Sequence, residues 1–114
     1  MMTDFAPNIE RAFCLDLHEE SYTLEQIEGN VPDFLRGTYY LNGPARFSRQ
    51  DLSYRHWLDG DGMVCALRFD DDVHFTNRYV RSDKFLAEQE AEAPLFRAFG
   101  TSFEGDQLVR GIAL

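Results

Sequence analysis

The segment His56 to Met63 reads "HWLDGDGM" and sets two Asp-Gly pairs between a tryptophan and a methionine. Two aspartates two residues apart can hold a divalent cation, shape a tight turn or belong to a larger site. A calcium loop of the EF-hand type needs oxygen ligands at loop positions 1, 3 and 5, glycine at 6 and glutamate at 12. Counted from Asp59, Met63 and Val64 fall on positions 5 and 6; counted from Trp57, a tryptophan opens the loop and Arg68 closes it. Both registers fail. Asp-Gly between β-prone runs is a hairpin signal, because glycine accepts the positive φ of a type I′ turn. The spacing therefore predicts that Asp59, Gly60, Asp61 and Gly62 shape a hairpin.

The other chemistry-bearing residues do not assemble by spacing. His18, His56 and His74 form no HxH or HExxH pair. No GxSxG is present, neither Cys14 nor Cys65 sits in a recognised nucleophile motif, and no GK[ST] follows the glycines. Arg55, Arg78 and Arg81 are expected to pair with surplus carboxylates, and such surface pairs contribute little to stability.

The segments around these residues read as a meander. "SYTLEQIEGNVP" enters a short strand or extended arm. "VPDFLRG" reads as one helical turn, with Pro32 at its first position and Gly37 as its stop. "TYYLNGP" is a strand closed by a turn at Asn42, Gly43 and Pro44. "MVCALRF" and "VHFTNRYV" are strands joined by a turn at Asp70 to Asp72. Ser82 or Asp83 caps a helix near 83–92, limited to about three turns by Pro94.

Length and composition bound the rest. The chain has 114 residues, 44% hydrophobic and 14% aromatic, enough for a core. A meander of a few strands and one helix leaves unpaired edges, so some aromatic rings are expected to pack against material outside this chain. The net charge of −9, with no basic run, disfavours nucleic acid. Two cysteines without a CxxC read as free, buried thiols in a reducing compartment. No signal pattern or apolar span is present, so the expectation is a soluble, cytoplasmic protein.

Three segments in order, "VPDFLRGTYYLNGP", "YRHWLDGDGMVCALRF" and "NRYVRSDKF", resemble the N-terminal signature of the carotenoid cleavage oxygenase family, which includes stilbene-cleaving dioxygenases and retinoid isomerases. The match spans Val31 to Phe85. Leu41 stands where that family usually has arginine, and Leu58 where it usually has phenylalanine, which keeps the position apolar but removes the ring.

The resemblance implies an all-β fold: the N-terminal fragment of a seven-bladed β-propeller, with residues 1–30 as an arm and 31–114 as the first, incomplete part of the propeller. It implies a non-haem Fe(II) dioxygenase that cleaves a conjugated C=C bond of a carotenoid, apocarotenoid or stilbene with O2 into two carbonyl products. Neutral imidazoles and open coordination positions suit that metal and that gas. The family's iron ligands lie downstream of "NRYVR", so none falls on this chain. Trp57 and Leu58 are placed near the apolar substrate tunnel. The implied partners are the lipophilic substrate, O2 and the remainder of the propeller, and they extend to peripheral membrane contact. The rival reading is a truncated, stand-alone β-rich binding module without catalytic activity.

Overall fold

The computed structural model describes residues 16–108. They are mostly β-strand with one short helix. The strands are β1 (Ser21–Thr23), β2 (Gly37–Arg46), β3 (Ser48–Arg49), β4 (Leu52–Ser53), β5 (Asp61–Phe69) and β6 (Val73–Tyr79), followed by α1 (Asp83–Ala91). Four strands form an antiparallel sheet in the order β1-β6-β5-β2, and β3 and β4 pair separately.

The β5–β6 hairpin forms where the β-prone runs predict it. Its turn is closed by Asp70, whose amide donates to the Asp72 carbonyl (3.0 Å) and whose carboxylate accepts from the Asp72 amide (3.1 Å). Helix α1 also starts as read. The Ser82 hydroxyl accepts from the Phe85 amide at 3.1 Å, satisfying one of the orphan donors of the first turn. The helix ends at Ala91, and Glu92 takes a left-handed conformation (φ 53°) before Pro94.

Two expectations are overturned on β2. The segment Asn42, Gly43 and Pro44 is no turn: it continues the strand opposite Val64, Met63 and Gly62. The register slips between Pro44 and Arg46, a bulge on the outer strand of the sheet. Proline lacks the ladder donor and is tolerated at such a place, so the strand absorbs it instead of stopping. "VPDFLRG" makes one hydrogen-bonded turn, with the Leu35 amide donating to the Pro32 carbonyl (3.0 Å), and no helix. So short a segment cannot repay helix nucleation alone, and Gly37 opens β2 with φ 123° rather than capping a helix.

The core is small and lies where β2, β5 and β6 meet α1. Ala45, Met63, Tyr79 and Phe85 form it, and Cys65 packs against it half-buried, not buried as the sequence suggests. Cys14 lies outside the described residues. The Tyr79 and Phe85 rings stack at 5.1 Å, and the Arg49 and Arg81 guanidiniums stand over Phe85 at 5.4 and 5.7 Å. The opposite end of the sheet is uncovered: Tyr39, Tyr40 and Leu41 are consecutive, point to alternate faces, and are all largely exposed. No helix among the described residues is long and apolar enough to cross a membrane.

Candidate functional site

The segment from His56 to Met63 forms no hairpin. Trp57–Asp59 make a 3₁₀ turn capped by His56, whose Nδ1 accepts from the Leu58 amide at 3.0 Å. Asp59 completes the cap by accepting from the His56 amide at 3.2 Å. Gly60 has φ −66° and ψ 141°, and Asp61 and Gly62 already belong to β5. Neither glycine has the positive φ of a type I′ turn. Gly60 is there for space: a Cβ on it would stand 2.7 Å from the Phe47 ring and 2.8 Å from the Pro44 Cβ.

Both aspartates are buried, and each joins this segment to a different element. Asp59 accepts from the Gly100 amide (2.8 Å) and from the Thr101 hydroxyl (2.6 Å), which in turn accepts from the Arg55 amide (2.7 Å). Asp59 thus pins the loop after α1 to the 3₁₀ turn. Asp61 accepts from Lys84 Nζ at 2.8 Å and so pins α1 to β5.

Lys84, the only lysine in the sequence, donates also to Glu88 (2.8 Å) and to the Tyr54 hydroxyl (3.2 Å). Glu88 is fully buried. Its Oε2 accepts from the Leu95 and Phe96 amides at 2.9 and 3.2 Å. Arg49 Nη1 donates to Gln89 at 2.8 Å. Its Nε lies 3.2 Å from Glu88 and its Nη2 3.5 Å from Asp61, charge contacts without hydrogen-bond alignment. Two cations therefore face two buried carboxylates, the arrangement that makes burial of charge tolerable.

The titration behaviour follows. Burial opposes the charge on Lys84, but its hydrogen bonds to Asp61 and Glu88 outweigh that and hold it above the usual lysine value. Burial likewise opposes the Glu88 carboxylate, and the Lys84, Leu95 and Phe96 donors outweigh it, keeping Glu88 below the usual range. Burial raises the Tyr54 phenol. A lysine held in its charged form is a poor nucleophile, so this cluster acts as an anchor.

The anchored pieces enclose a cleft of about 520 Å³. Leu58, Ala98, Phe99 and Leu108 supply apolar lining, and Asp61, Ser82, Lys84 and Arg97 supply the polar side. Leu58, expected near the tunnel, is half-exposed on this cleft. Trp57 is half-exposed too, but it stacks on His56 at 5.8 Å and does not line the cleft. Asn42, Gly43 and Pro44 stay in β2, where Gly43 pairs with Met63 and Pro44 with Gly62, and Pro44 also packs against Gly60.

Sequence reasoning missed Arg49, Tyr54, Lys84, Glu88, Gly100 and Thr101. The four-residue spacing of Lys84 and Glu88 on a helix was the one readable signal. Arg81 pairs with Glu19 as expected (Nη2 to Oε1, 2.9 Å) and holds that carboxyl at about 2. Arg78 instead donates to the carbonyls of Glu20 and Asn77.

The imidazoles do not converge. His74 bonds the Ser21 hydroxyl through Nε2 (2.9 Å) and the Thr23 hydroxyl through Nδ1 (3.1 Å), while His56 Nδ1 serves the 3₁₀ cap. Among the described residues no group of three or more His, Cys, Asp or Glu is arranged to hold a metal ion. The described residues do not fit an Fe(II) site.

Comparison with known proteins places these features in context. The family model for retinal pigment epithelial membrane protein matches residues 14–113. The apocarotenoid-15,15'-oxygenase of Synechocystis sp. is 40% identical over 93 residues, which cover 79% of this chain and 19% of that protein. The β,β-carotene 15,15'-dioxygenase of Gallus gallus is 31% identical, covering 67% of this chain and 15% of that protein. The structure of cobalt-substituted Synechocystis ACO superposes with a TM-score of 0.71 at 37% identity, over 75% of this chain and 19% of that one. The chain spans about a fifth or less of the length of these relatives.

Proposed function

The chain belongs to the retinal pigment epithelial membrane protein family, and from that premise we propose that it serves as the N-terminal part of a dioxygenase acting on a conjugated C=C bond. The substrate is a carotenoid, apocarotenoid or stilbene, and O2 converts the double bond into two carbonyl products. The observation that carries this reading is the cleft with apolar lining built on the His56 to Met63 segment, in a chain 40% identical to an apocarotenoid oxygenase. A flat polyene offers no charge to bind, so its recognition rests on apolar walls and exclusion of water. Leu58 and Phe99 supply such surface, and the charged groups on the polar side of the cleft are ion-paired, Lys84 with Asp61 and Arg97 with Asp106.

In this proposal the chain lies within a seven-bladed propeller. Fe(II), whose chemistry is to activate O2, is held by histidines outside residues 1–114. The open half of β2, with Tyr39, Tyr40 and Leu41, is covered by neighbouring blades, since propeller blades stabilise one another by stacking.

The test is made on the native protein. Its intact mass is measured, and its products from an apocarotenoid are followed under ¹⁸O2. A mass several times 13.2 kDa together with labelled carbonyl products supports the proposal. A native mass of 13.2 kDa with no cleavage sinks it and leaves a stand-alone binding module.

A further inference from the structure

We propose that Glu88 is a positioning residue for the cleft, holding segment 95–101 so that Phe99 stands opposite Leu58. This rests on the reading of the cleft as a polyene-contacting wall. The segment is tied at both ends by buried carboxylates. Glu88 Oε2 takes the Leu95 and Phe96 amides at its start, and Asp59 takes the Gly100 amide and the Thr101 hydroxyl at its end. Between them the Ala98 amide donates to the Thr101 carbonyl at 2.8 Å, closing a tight turn around Phe99. The Phe99 ring is largely exposed and meets the His56 ring edge-on at 5.1 Å.

The fit has no slack. A Cβ on Gly100 would come within 2.6 Å of the His56 Cβ, so the segment lies directly against the 3₁₀ turn that carries Leu58. A shift of the 95–96 end is therefore transmitted to Phe99 and to the mouth of the cleft.

Glu88 suits the task because both of its oxygens are used. Oε1 accepts from Lys84, while Oε2 faces the two backbone amides. A glutamine has a single carbonyl oxygen. Its NH2 must face either Lys84 or the two amides, and in both cases a donor meets a donor.

The experiment compares the wild-type chain with Glu88→Gln, Thr101→Val and the exposed control Glu90→Gln. Binding of all-trans-retinol is read by the change in its own fluorescence. Amide hydrogen exchange and thermal unfolding are measured on the same samples. Glu88→Gln is expected to unfold cooperatively, to bind retinol roughly tenfold more weakly, and to exchange faster at Leu95, Phe96, Gly100 and Thr101 alike. Thr101→Val, which frees the other end, gives a similar loss of affinity, and Glu90→Gln matches wild type.

A folded Glu88→Gln with wild-type affinity overturns the inference, as does faster exchange confined to Leu95 and Phe96. If Glu88→Gln does not fold, Thr101→Val decides, and unchanged affinity there overturns it. If wild type binds no retinol, the reading of the cleft fails, and the spread of exchange from 95–96 to 100–101 alone decides for or against positioning.

Discussion

The two ends of the sheet are built on opposite terms. At one end Asp59, Asp61, Glu88 and Arg49 are buried and Lys84 is partly so, and hydrogen bonds or charge contacts join them to α1 and segment 95–101. At the other, Tyr39, Tyr40 and Leu41 expose apolar surface on both faces of an outer strand. The closed end shows that charge can organise an interior when every carboxylate meets a donor. The open end shows that aromatic content alone makes no core. Apolar side chains stabilise a fold only where another surface removes them from water.

The largest effect is expected from removing a partner at the closed end. Lys84→Met leaves Asp61 and Glu88 facing each other with only Arg49 between them, and is expected to cost about 3 kcal/mol or more. Urea unfolding checks this; a loss below about 1 kcal/mol would mean that the network is ornamental.

Gly60→Ala comes next. The new methyl meets the Phe47 ring and Pro44 inside 3 Å, and overpacking of this kind costs about 2 kcal/mol. The effect comes from crowding and not from φ, so Gly60→Ser is expected to be no better tolerated.

The closed end also imposes a pH window. Glu88 is depressed below its ordinary 4.5, so its contribution is present above that value and is lost as pH falls through the folded value. Lys84 is raised above its ordinary 10.5, so its contribution is present below that value and is lost as pH rises through the folded one. Urea midpoints are expected to be flat between about 5 and 10 and to fall on either side. In Lys84→Met the alkaline fall attributable to this lysine disappears.

The smallest effect belongs to the open end. Tyr40→Ser is expected to change stability by no more than about 0.5 kcal/mol. A loss comparable to that of Gly60→Ala would show that the open face is already covered, as by a second copy of the chain.

What could be read along the chain was local. Ser82 before a run of helix formers announces a cap, and its hydroxyl does accept from Phe85. Alternation through Met63 to Phe69 and the acidic turn after it announce the β5–β6 hairpin. The Asp-Gly-Asp-Gly segment misled because Gly60 answers a demand for space made by Phe47 and Pro44, and Gly62 lies inside a strand, neither of which a local pattern reveals. Asn-Gly-Pro misled because a bulge on an outer strand tolerates a residue order that in isolation favours a turn.

The β5–β6 hairpin, the helix with its cap, and family membership through the ordered motifs were thus legible along the chain, because these depend on neighbours within a few positions. The roles of Asp59 and Asp61 were set by the folded contacts instead. Their partners lie in α1 and in the loop at Gly100 and Thr101, some 23 to 42 positions away along the chain. Whether a buried carboxylate is a ligand, a base or an anchor depends on which donors the fold brings to it, and here the fold brings a lysine, an arginine, a hydroxyl and backbone amides.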